Sequence, residues 1–274
     1  SVSTSLDGDM ATHRRQRTKE DAIHDRFAAN LREALHRLSG ERVSAIATLD
    51  PDRAPDPQAV VDTFHGLGMR SVYARPVNHQ GFARKRFPAD RDAIWNAFYG
   101  KLIDALIEHN SKGHEPMEEY YFTHCLRRVV RGAHDNHVDL RNPNLLGADY
   151  VVVDYDGRLY PTDEARMVTR VGQADLSIGD VAAGIDKGKI ECLNWNSLNS
   201  FHEDCVHCAF QPFCGVDLVD DISRYGRIDL PKHATSHCRR HLAVFDKVFE
   251  VIYSRDPAVR RSAALWLGVP EFPD

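Results

Sequence analysis

Apolar positions in the first part of the chain alternate between strand-like and helix-like spacing. Short apolar runs at residues 1–6, 43–49 and 71–75 predict strands, because each is closed by a turn-forming residue or a proline. Between and after these runs, apolar residues recur every three or four positions, which predicts amphipathic helices, and a further helix is predicted at 57–67. The two apolar stripes are Ile23, Phe27, Leu31, Leu35, Leu38 and Ile94, Trp95, Phe98, Leu102, Leu106. This alternation predicts a parallel sheet or part of a barrel.

The pattern changes after about His114. A helix is predicted at 117–130, and a hairpin whose strands, 150–155 and 158–160, flank a turn at Asp156 and Gly157. The last predicted helix covers 239–252. Its predicted buried face is Leu242, Phe245, Phe249 and Ile252. Turn-forming residues cluster at 110–116, so we predict a division of the chain into residues 1–112 and 113–274.

Composition and charge exclude several classes of protein. The chain has 274 residues, of which 42% are hydrophobic and 27% charged, and it contains no apolar run approaching the roughly 20 residues that span a bilayer. The net charge of −5 argues against broad binding to nucleic acid or anionic membranes. Six cysteines are too few for a disulfide-built scaffold, and the metal-ligand spacing of some of them favours a cytoplasmic location.

Cysteines near the C-terminus are spaced like metal ligands. Two residues separate Cys205 from Cys208, five separate Cys208 from Cys214, and twenty-three separate Cys214 from Cys238. A CxxC turn presents two thiolates to one metal from the same side, and the other two cysteines must fold back to complete the site. The spacing alone leaves zinc and an iron–sulfur cluster equally open.

Nearby histidines are further candidate ligands, whereas the two remaining cysteines are not expected to bind the metal. His207, His237 and His241 are close to the cysteines in sequence; one could replace a cysteine, but most are expected at the surface or supporting a ligand. Cys125 is expected to be a buried small apolar residue, and Cys192 has no partner at motif spacing.

Several sequence motifs resemble those of radical S-adenosylmethionine (SAM) enzymes. SLDG followed by His13 and Arg17 looks like the fourth barrel strand and its loop, and RPVNHQGFA at 75–83 resembles the sixth. VDYDGRLYPTDEARM at 153–167 and CVHCAFQPFCGVD at 205–217 resemble the C-terminal SPASM-like extension of peptide-modifying members. Together with VDLRNP at 138–143, they look most like the radical SAM maturase of His-Xaa-Ser peptide systems. The similarity covers nearly the whole chain, in order.

The resemblance implies an α/β fold: the second half of a partial (β/α)6 radical SAM barrel, followed by a SPASM-like iron–sulfur domain. It implies a radical SAM peptide maturase that modifies a ribosomally synthesised precursor peptide through a 5′-deoxyadenosyl radical. The implied cofactors are SAM, a catalytic 4Fe–4S cluster in the complete enzyme, and an auxiliary 4Fe–4S cluster in place of zinc. The implied partners are the precursor peptide and an electron donor such as flavodoxin or ferredoxin.

The chain also departs from this family. The CxxxCxxC motif that holds the catalytic cluster is missing from the sequence, and the chain opens on an apparent strand at Ser1, so we expect a C-terminal fragment. Leu218 and Thr162 stand where SPASM domains usually carry further cysteines. We therefore expect one auxiliary cluster, held by the four C-terminal cysteines, and not two.

The resemblance also assigns roles to individual residues. Ser3, Ser5 and Arg17 would bind SAM at the end of the first strand, with the Arg17 guanidinium paired to the SAM carboxylate. Arg75 would face the same cavity, and Asp217 would be a proton-transfer group in catalysis. The competing interpretation of Ser3, Ser5 and Arg17 is a helix cap and a solvated arginine.

Two hypotheses compete with the enzyme. One is a zinc-stabilised binding module without catalysis, which the same cysteine spacing allows. The other is a truncated, inactive product, because half of a barrel leaves a strand edge exposed. Iron with sulfide distinguishes the enzyme from the zinc module.

Overall fold

The computed structural model of the chain describes residues 1–18, 20–40, 42–85, 91–132, 145–148 and 150–272. The VDLRNP motif at 138–143 lies outside them. The chain divides into two compact units. The first unit comprises Ser1–Val77, Ala93–Arg127 and Asp246–Asp274, and the second comprises Asn78–Asp92 and Arg128–Phe245. The division predicted between residues 112 and 113 stays a prediction.

The helices and strands are numbered along the chain. The helices are α1 (Met10–Arg17), α2 (Asp21–Leu38), α3 (Pro57–Gly66), α4 (Asp92–Ser111), α5 (Tyr120–Val130), α6 (Asp163–Arg170), α7 (Lys187–Ser197), α8 (Glu203–Val206), α9 (Leu218–Tyr225), α10 (Ser236–Tyr253) and α11 (Pro257–Leu267). The strands are β1 (Val2–Ser5), β2 (Val43–Leu49), β3 (Ser71–Pro76), β4 (Glu118–Glu119), β5 (Val152–Val153), β6 (Arg158–Tyr160), β7 (Gly179–Asp180) and β8 (Gly184–Ile185).

The first unit is built on a parallel sheet with the strand order β1-β2-β3-β4. Val2 lies opposite Val43, and Ile46 lies opposite Tyr73. Helices connect successive strands, as parallel pairing requires. The three predicted opening strands are thus confirmed, and they lie side by side in parallel.

Most of the predicted apolar faces of this unit are buried. The inward positions of β2 alternate with outward ones, and Val60, Val61 and Phe64 of α3 are fully buried. Each such side chain stabilises the fold by about 1.5–3 kcal/mol. Every member of the predicted α4 stripe is buried except Ile94, and on α2 the prediction is wrong for Ile23, which is 51% exposed.

Two helices differ from their predicted form. The helix predicted at 117–130 begins only at Tyr120, because Glu118 and Glu119 join the edge of the sheet as β4, where the Glu118 amide donates to the carbonyl of Arg70 at 3.0 Å. On α10 the buried apolar residues are Val244, Phe245, Val248 and Val251. The predicted face shares only Phe245 with that set, since both stripes keep the helical period and spacing alone does not distinguish adjacent faces.

The second unit contains an antiparallel sheet with the strand order β5-β6-β7-β8. Val152 pairs with Tyr160, which confirms the predicted hairpin. Gly157 turns the chain with φ of +85°, a left-handed conformation that glycine adopts without the penalty a side chain brings. The amide of Gly157 donates to the carbonyl of Asp154 at 2.9 Å and closes the turn.

A small apolar cluster lies in the second unit. It consists of Ala165, Val168, Leu176 and Val219, with Ala174, Leu193 and Ile222 packed against it. The strands of this unit are only two or three residues long. Within the described ranges, each helix is too short or too polar to cross a membrane.

One buried carboxyl group of the first unit receives three hydrogen bonds. Glu119 is fully buried, and it accepts from the Tyr99 hydroxyl, from the Ala74 amide at 3.0 Å and from the Phe122 amide at 2.6 Å. Burial raises the pKa of Glu119 to about 7, while these donors oppose the shift.

Replacing Glu119 with glutamine is expected to change how stability depends on pH. The folded carboxyl titrates near 7 and the unfolded one near 4.5, so the folded state binds more protons in between. The free energy of unfolding of the natural chain therefore falls as pH rises through this window, by on the order of 3 kcal/mol. The Glu119→Gln variant should lack that fall in urea unfolding followed by tryptophan fluorescence at about pH 5 and about pH 7.5.

The matched control is Glu108→Gln, because Glu108 is exposed and pairs with Lys112 at the surface. This control should keep the slope of the natural chain. An identical slope in Glu119→Gln would contradict the assignment.

Candidate metal centre

Four cysteine side chains line one cavity in the second unit. Cys205, Cys208, Cys214 and Cys238 all border a cavity of about 100 Å³, and all are half-buried. The structure thus brings together the four residues that the sequence predicted as ligands. Cys192 is exposed and does not line this cavity, and Cys125 is fully buried, as expected.

Short local hydrogen bonds place the cysteines at the cavity. The amide of Cys208 donates to the carbonyl of Cys205 at 3.0 Å, which closes the CxxC turn at the end of α8. The amide of Cys214 donates to the carbonyl of Phe210 at 3.0 Å. Cys238 lies in the first turn of α10, and its amide donates to the Thr235 hydroxyl at 3.3 Å. Three separate turns therefore converge on one space.

Burial, and after it the neighbouring thiols, disfavour the ionisation of Cys214 and Cys238. Burial, together with the neighbouring Cys205 and Cys208, raises the pKa of Cys238 to about 11. Burial, and next Cys238, raise the pKa of Cys214 well above its usual range. A set of thiolates is stable here only with a cation among them, so metal binding must release protons. A soft cation is what four such donors fit.

Two buried histidines lie next to Cys214. The ligand atoms of Cys214, His237 and His241 are all within 4.8 Å of one another, and Nδ1 of His241 is 3.3 Å from the sulfur of Cys214. Both rings line the cavity, whereas His207 is exposed. Sequence reasoning underestimated this pair; its spacing of four residues on one helix was the available signal, because that spacing puts both rings on one face.

Asp217 also lines the cavity and caps α9. Its carboxylate accepts from the amides of Val219 at 3.1 Å and Asp220 at 3.0 Å. A capping aspartate satisfies amides that the helix leaves unpaired. Its predicted part in proton transfer stays a prediction.

The two positions without the expected further cysteines have structural roles. Thr162 is fully buried and caps α6, with its hydroxyl accepting from the Ala165 amide at 3.0 Å. Leu218 is the first residue of α9 and is buried. Neither position borders the cysteine cavity.

A buried ion pair holds the segment before Cys238. Nζ of Lys232 is 2.9 Å from a carboxylate oxygen of Asp221, and both side chains are almost fully buried. The amide of Lys232 donates to Asp204 at 2.6 Å, on the helix that carries Cys205. Burial raises the pKa of Asp221 to about 6, and Lys232 opposes that shift. Lys232 thus links three segments around the cavity.

A second ionic network anchors the start of α10. Asp92 accepts from Arg239 at 2.6 Å and from the Ser236 hydroxyl at 2.6 Å. Asp220 pairs with Arg224 at 2.8 Å and with Arg240 at 3.3 Å. Ser236, Arg239 and Arg240 lie within two residues of Cys238 on α10, so the network fixes the helix that presents this cysteine. Asp220 and Arg224 are four residues apart on α9, a spacing typical of helix ion pairs, whereas the links from Asp92 to α10 span more than a hundred residues and follow no spacing rule.

The predicted SAM-binding residues lie in the first unit. Ser5 ends β1 and lies opposite Ile46 of β2, while Arg75 lies opposite Thr48 near the end of β3. Parallel strands bring these two residues to the same edge of the sheet, the carboxyl edge. Ser3 is exposed and lies on β1 two residues earlier.

Arg17 forms a fork with a buried carboxylate in the same unit. Its Nε and Nη2 donate to the two oxygens of Asp7 at 2.5 and 2.8 Å. Asp7 is buried and also accepts from the Thr48 amide at 3.0 Å. The Arg17 side chain is 42% exposed, so part of it faces solvent beside the end of β1.

Comparison with solved structures shows the fold. A tagged form of anSMEcpe with bound AdoMet gives a TM-score of 0.67 at 15% identity, covering 97% of this chain and 68% of that one. Native anSMEcpe with bound AdoMet and Kp18Cys peptide gives 0.67 at 16% identity, covering 96% and 69%. The form with AdoMet and Cp18Cys peptide gives 0.68 at 15% identity, covering 96% and 70%. This chain is thus a mixed α/β protein with a parallel four-stranded sheet, whose fold resembles that of anSMEcpe.

Sequence comparisons give no assignment. The chain matches no protein-family model and no curated protein.

Replacing Lys232 with methionine is expected to destabilise the second unit. The variant leaves the Asp221 carboxylate buried without its counter-charge, which costs about 3–5 kcal/mol of unfolding free energy. The double variant with Asp221→Asn should recover much of that loss. Chemical unfolding followed by circular dichroism measures both.

Lys187→Met serves as the control, because Lys187 is exposed on α7. A loss below about 1 kcal/mol in Lys232→Met, comparable to the effect of removing a surface ion pair, would contradict the role of the buried pair.

Proposed function

We propose that this chain is part of a radical SAM enzyme that modifies a ribosomally synthesised precursor peptide, most like the maturase of His-Xaa-Ser systems. The observation that carries the proposal is the convergence of four cysteines on one cavity, in a chain whose fold resembles anSMEcpe. The first unit would belong to the second half of a radical SAM barrel, and the second unit would contain the SPASM-like cluster domain.

The proposed ligands of the auxiliary 4Fe–4S cluster are Cys205, Cys208, Cys214 and Cys238. The residues fit such a group, because their thiols crowd one cavity and need a soft cation to ionise together. When bound, the cluster supplies one-electron redox chemistry at this cavity. His241 would orient Cys214 through the contact between its ring nitrogen and the sulfur.

The proposed SAM site lies at the carboxyl edge of the parallel sheet. Ser5 and Arg75 lie at that edge, and Ser3 lies two residues earlier on β1. Arg17 is held beside the end of β1 by its hydrogen bonds to Asp7. Barrel enzymes place their sites at this edge, which supports the proposal. When bound, SAM supplies the 5′-deoxyadenosyl group for hydrogen abstraction. The proposal assigns the catalytic cluster to residues outside this chain, because its 274 residues contain no CxxxCxxC motif.

The proposed partner is a peptide. Solved structures of anSMEcpe hold AdoMet together with a peptide, which supports a peptide substrate for a chain of similar fold. An electron donor such as flavodoxin or ferredoxin would supply the reducing electron. In this proposal Asp217, at the cysteine cavity, accepts or returns a proton during peptide modification.

A zinc-stabilised binding module is the second candidate function. The observation that favours it is the group of Cys214, His237 and His241, because a mixed set of sulfur and imidazole donors is typical of zinc. Metal content distinguishes the two candidates directly.

Anaerobic reconstitution of the full chain with iron and sulfide should give about four iron and four sulfide per chain and a broad brown visible absorption. The Cys214→Ser and Cys238→Ser variants should retain far less of both, because each lacks a ligand. Cys192→Ser is the matched control, since Cys192 is exposed and does not line the cavity. Zinc retention without iron would instead support the binding module.

SAM binding tests the proposed site in the first unit. The Arg17→Gln variant should bind SAM about tenfold more weakly, because a charge-assisted hydrogen bond contributes roughly 1.5–3 kcal/mol. Equilibrium dialysis of the full chain against labelled SAM measures this affinity.

Arg37→Gln is the control for this experiment, because Arg37 is exposed and pairs with Glu33 on the same helix. Equal affinity of Arg17→Gln and the natural chain, with the fold intact by circular dichroism, would remove Arg17 from the site. It would leave the cysteine site unaffected.

A further inference from the structure

Three histidines of the first unit meet at one point. The ring centroids of His65 and His109 are 4.6 Å apart, those of His109 and His114 are 4.9 Å apart, and those of His65 and His114 are 5.3 Å apart. His65 lies near the end of α3, His109 near the end of α4, and His114 in the segment that follows α4. The motifs of the proposed enzyme include none of them.

The topology of the sheet explains this meeting. Helix α3 leads into β3, helix α4 leads into β4, and these strands are parallel neighbours. The carboxyl ends of both helices therefore lie at the amino edge of the sheet. This is the opposite edge from Ser5 and Arg75, so the cluster is separate from the proposed SAM site.

The spacing of the rings suits a tetrahedral metal ion. Zinc binds imidazole nitrogen at about 2.0–2.1 Å, and in tetrahedral geometry this places neighbouring ring centroids about 5 Å apart. The observed separations bracket that value. The ligand nitrogens of the three rings do not all lie within 4.8 Å of one another in the structure. Rotation of a ring by half a turn about the bond to its Cβ exchanges nitrogen and carbon positions, and the proposed site requires such a rotation.

One ring is already held as a metal ligand would be. Nε2 of His109 is 3.1 Å from the carbonyl oxygen of Glu115. A carbonyl only accepts, so Nε2 carries the proton and Nδ1 keeps a free lone pair. A ligating histidine typically donates its other nitrogen to a carbonyl in this way.

The surroundings leave access for an ion and hold the loop in place. His114 is exposed and His65 is half-buried, whereas His109 is buried. Glu115 pairs with Arg70 at 3.1 Å, so the segment that carries His114 is tied to the start of β3. Among the charged groups, Asp62 acts electrostatically on His109 and favours a cation there.

We propose that His65, His109 and His114 bind a divalent transition-metal ion, with zinc as the best fit, and that the fourth position is taken by water. Imidazole donors suit zinc, copper and nickel. The ion links the ends of α3 and α4 to the segment that leads into the edge strand β4. Its role is to stabilise the amino edge of the sheet, where barrel folds place stability and not catalysis.

Zinc binding to the full chain without a histidine tag tests the proposal. In equilibrium dialysis, the natural chain should bind one more zinc ion per chain than His114→Ala or His109→Ala does. If a variant still binds this ion, its affinity should be more than about tenfold weaker than that of the natural chain. The comparison holds whether or not the cysteine cavity also takes zinc, since that site is intact in every variant. His114 is exposed, so His114→Ala should fold even if His109→Ala does not.

His36→Ala is the matched control, because His36 is an exposed histidine on α2 of the same unit. It should bind as much zinc as the natural chain. X-ray absorption at the zinc edge should show that the zinc lost in His114→Ala has nitrogen and oxygen neighbours and no sulfur. Equal zinc content of the natural chain and His114→Ala, or sulfur around the zinc that is lost, would overturn the proposal and leave the cysteine site untouched.

Discussion

The convergence of four cysteines on one small cavity is the constraint on which our account of the second unit depends. Burial and mutual repulsion raise the pKa of Cys214 and Cys238, so the thiolates form together only with a cation among them. Among the described residues of this unit, the strands are only two or three residues long, and a small apolar cluster includes Val168 and Val219. Metal binding energy in such a segment is folding energy. In the proposal made above, a bound metal would complete the packing around this cavity.

Buried ion pairs hold together the segments that surround the cysteine cavity. Lys232 joins Asp221 and the helix of Cys205, and Asp92 and Asp220 hold the arginines that follow Cys238. Such pairs add little net stability compared with apolar residues, but breaking one is costly, because a lone buried charge remains. These pairs fix the positions of the segments that carry the proposed cysteine ligands. The first unit differs, since alternating apolar residues on β2 and α3 supply its core.

Sequence periodicity predicted the elements that carry long apolar patterns. The parallel strands β1, β2 and β3, helix α4 and the hairpin at Gly157 were predictable, since each shows a period or a turn residue. Strand β4 was not, because Glu118 and Glu119 are polar and join the sheet through their backbone. Helix α11, whose last turn carries the buried Trp266, was also missed.

The candidate site was predictable only as far as spacing carries information. Their spacing in the sequence groups the CxxC pair with the two later cysteines, and all four line one cavity in the structure. The burial of His237 and His241 depends on which face of α10 turns inward, and the predicted face was the neighbouring one. The links from Asp92 to α10 span more than a hundred residues, so no local pattern encodes them.

X-ray absorption at the iron edge of the anaerobically reconstituted chain tests most directly whether the four cysteines hold a cluster. The account predicts a first shell made only of sulfur, with iron neighbours beyond it. A first shell of nitrogen and oxygen, or a chain that retains no iron, would contradict it.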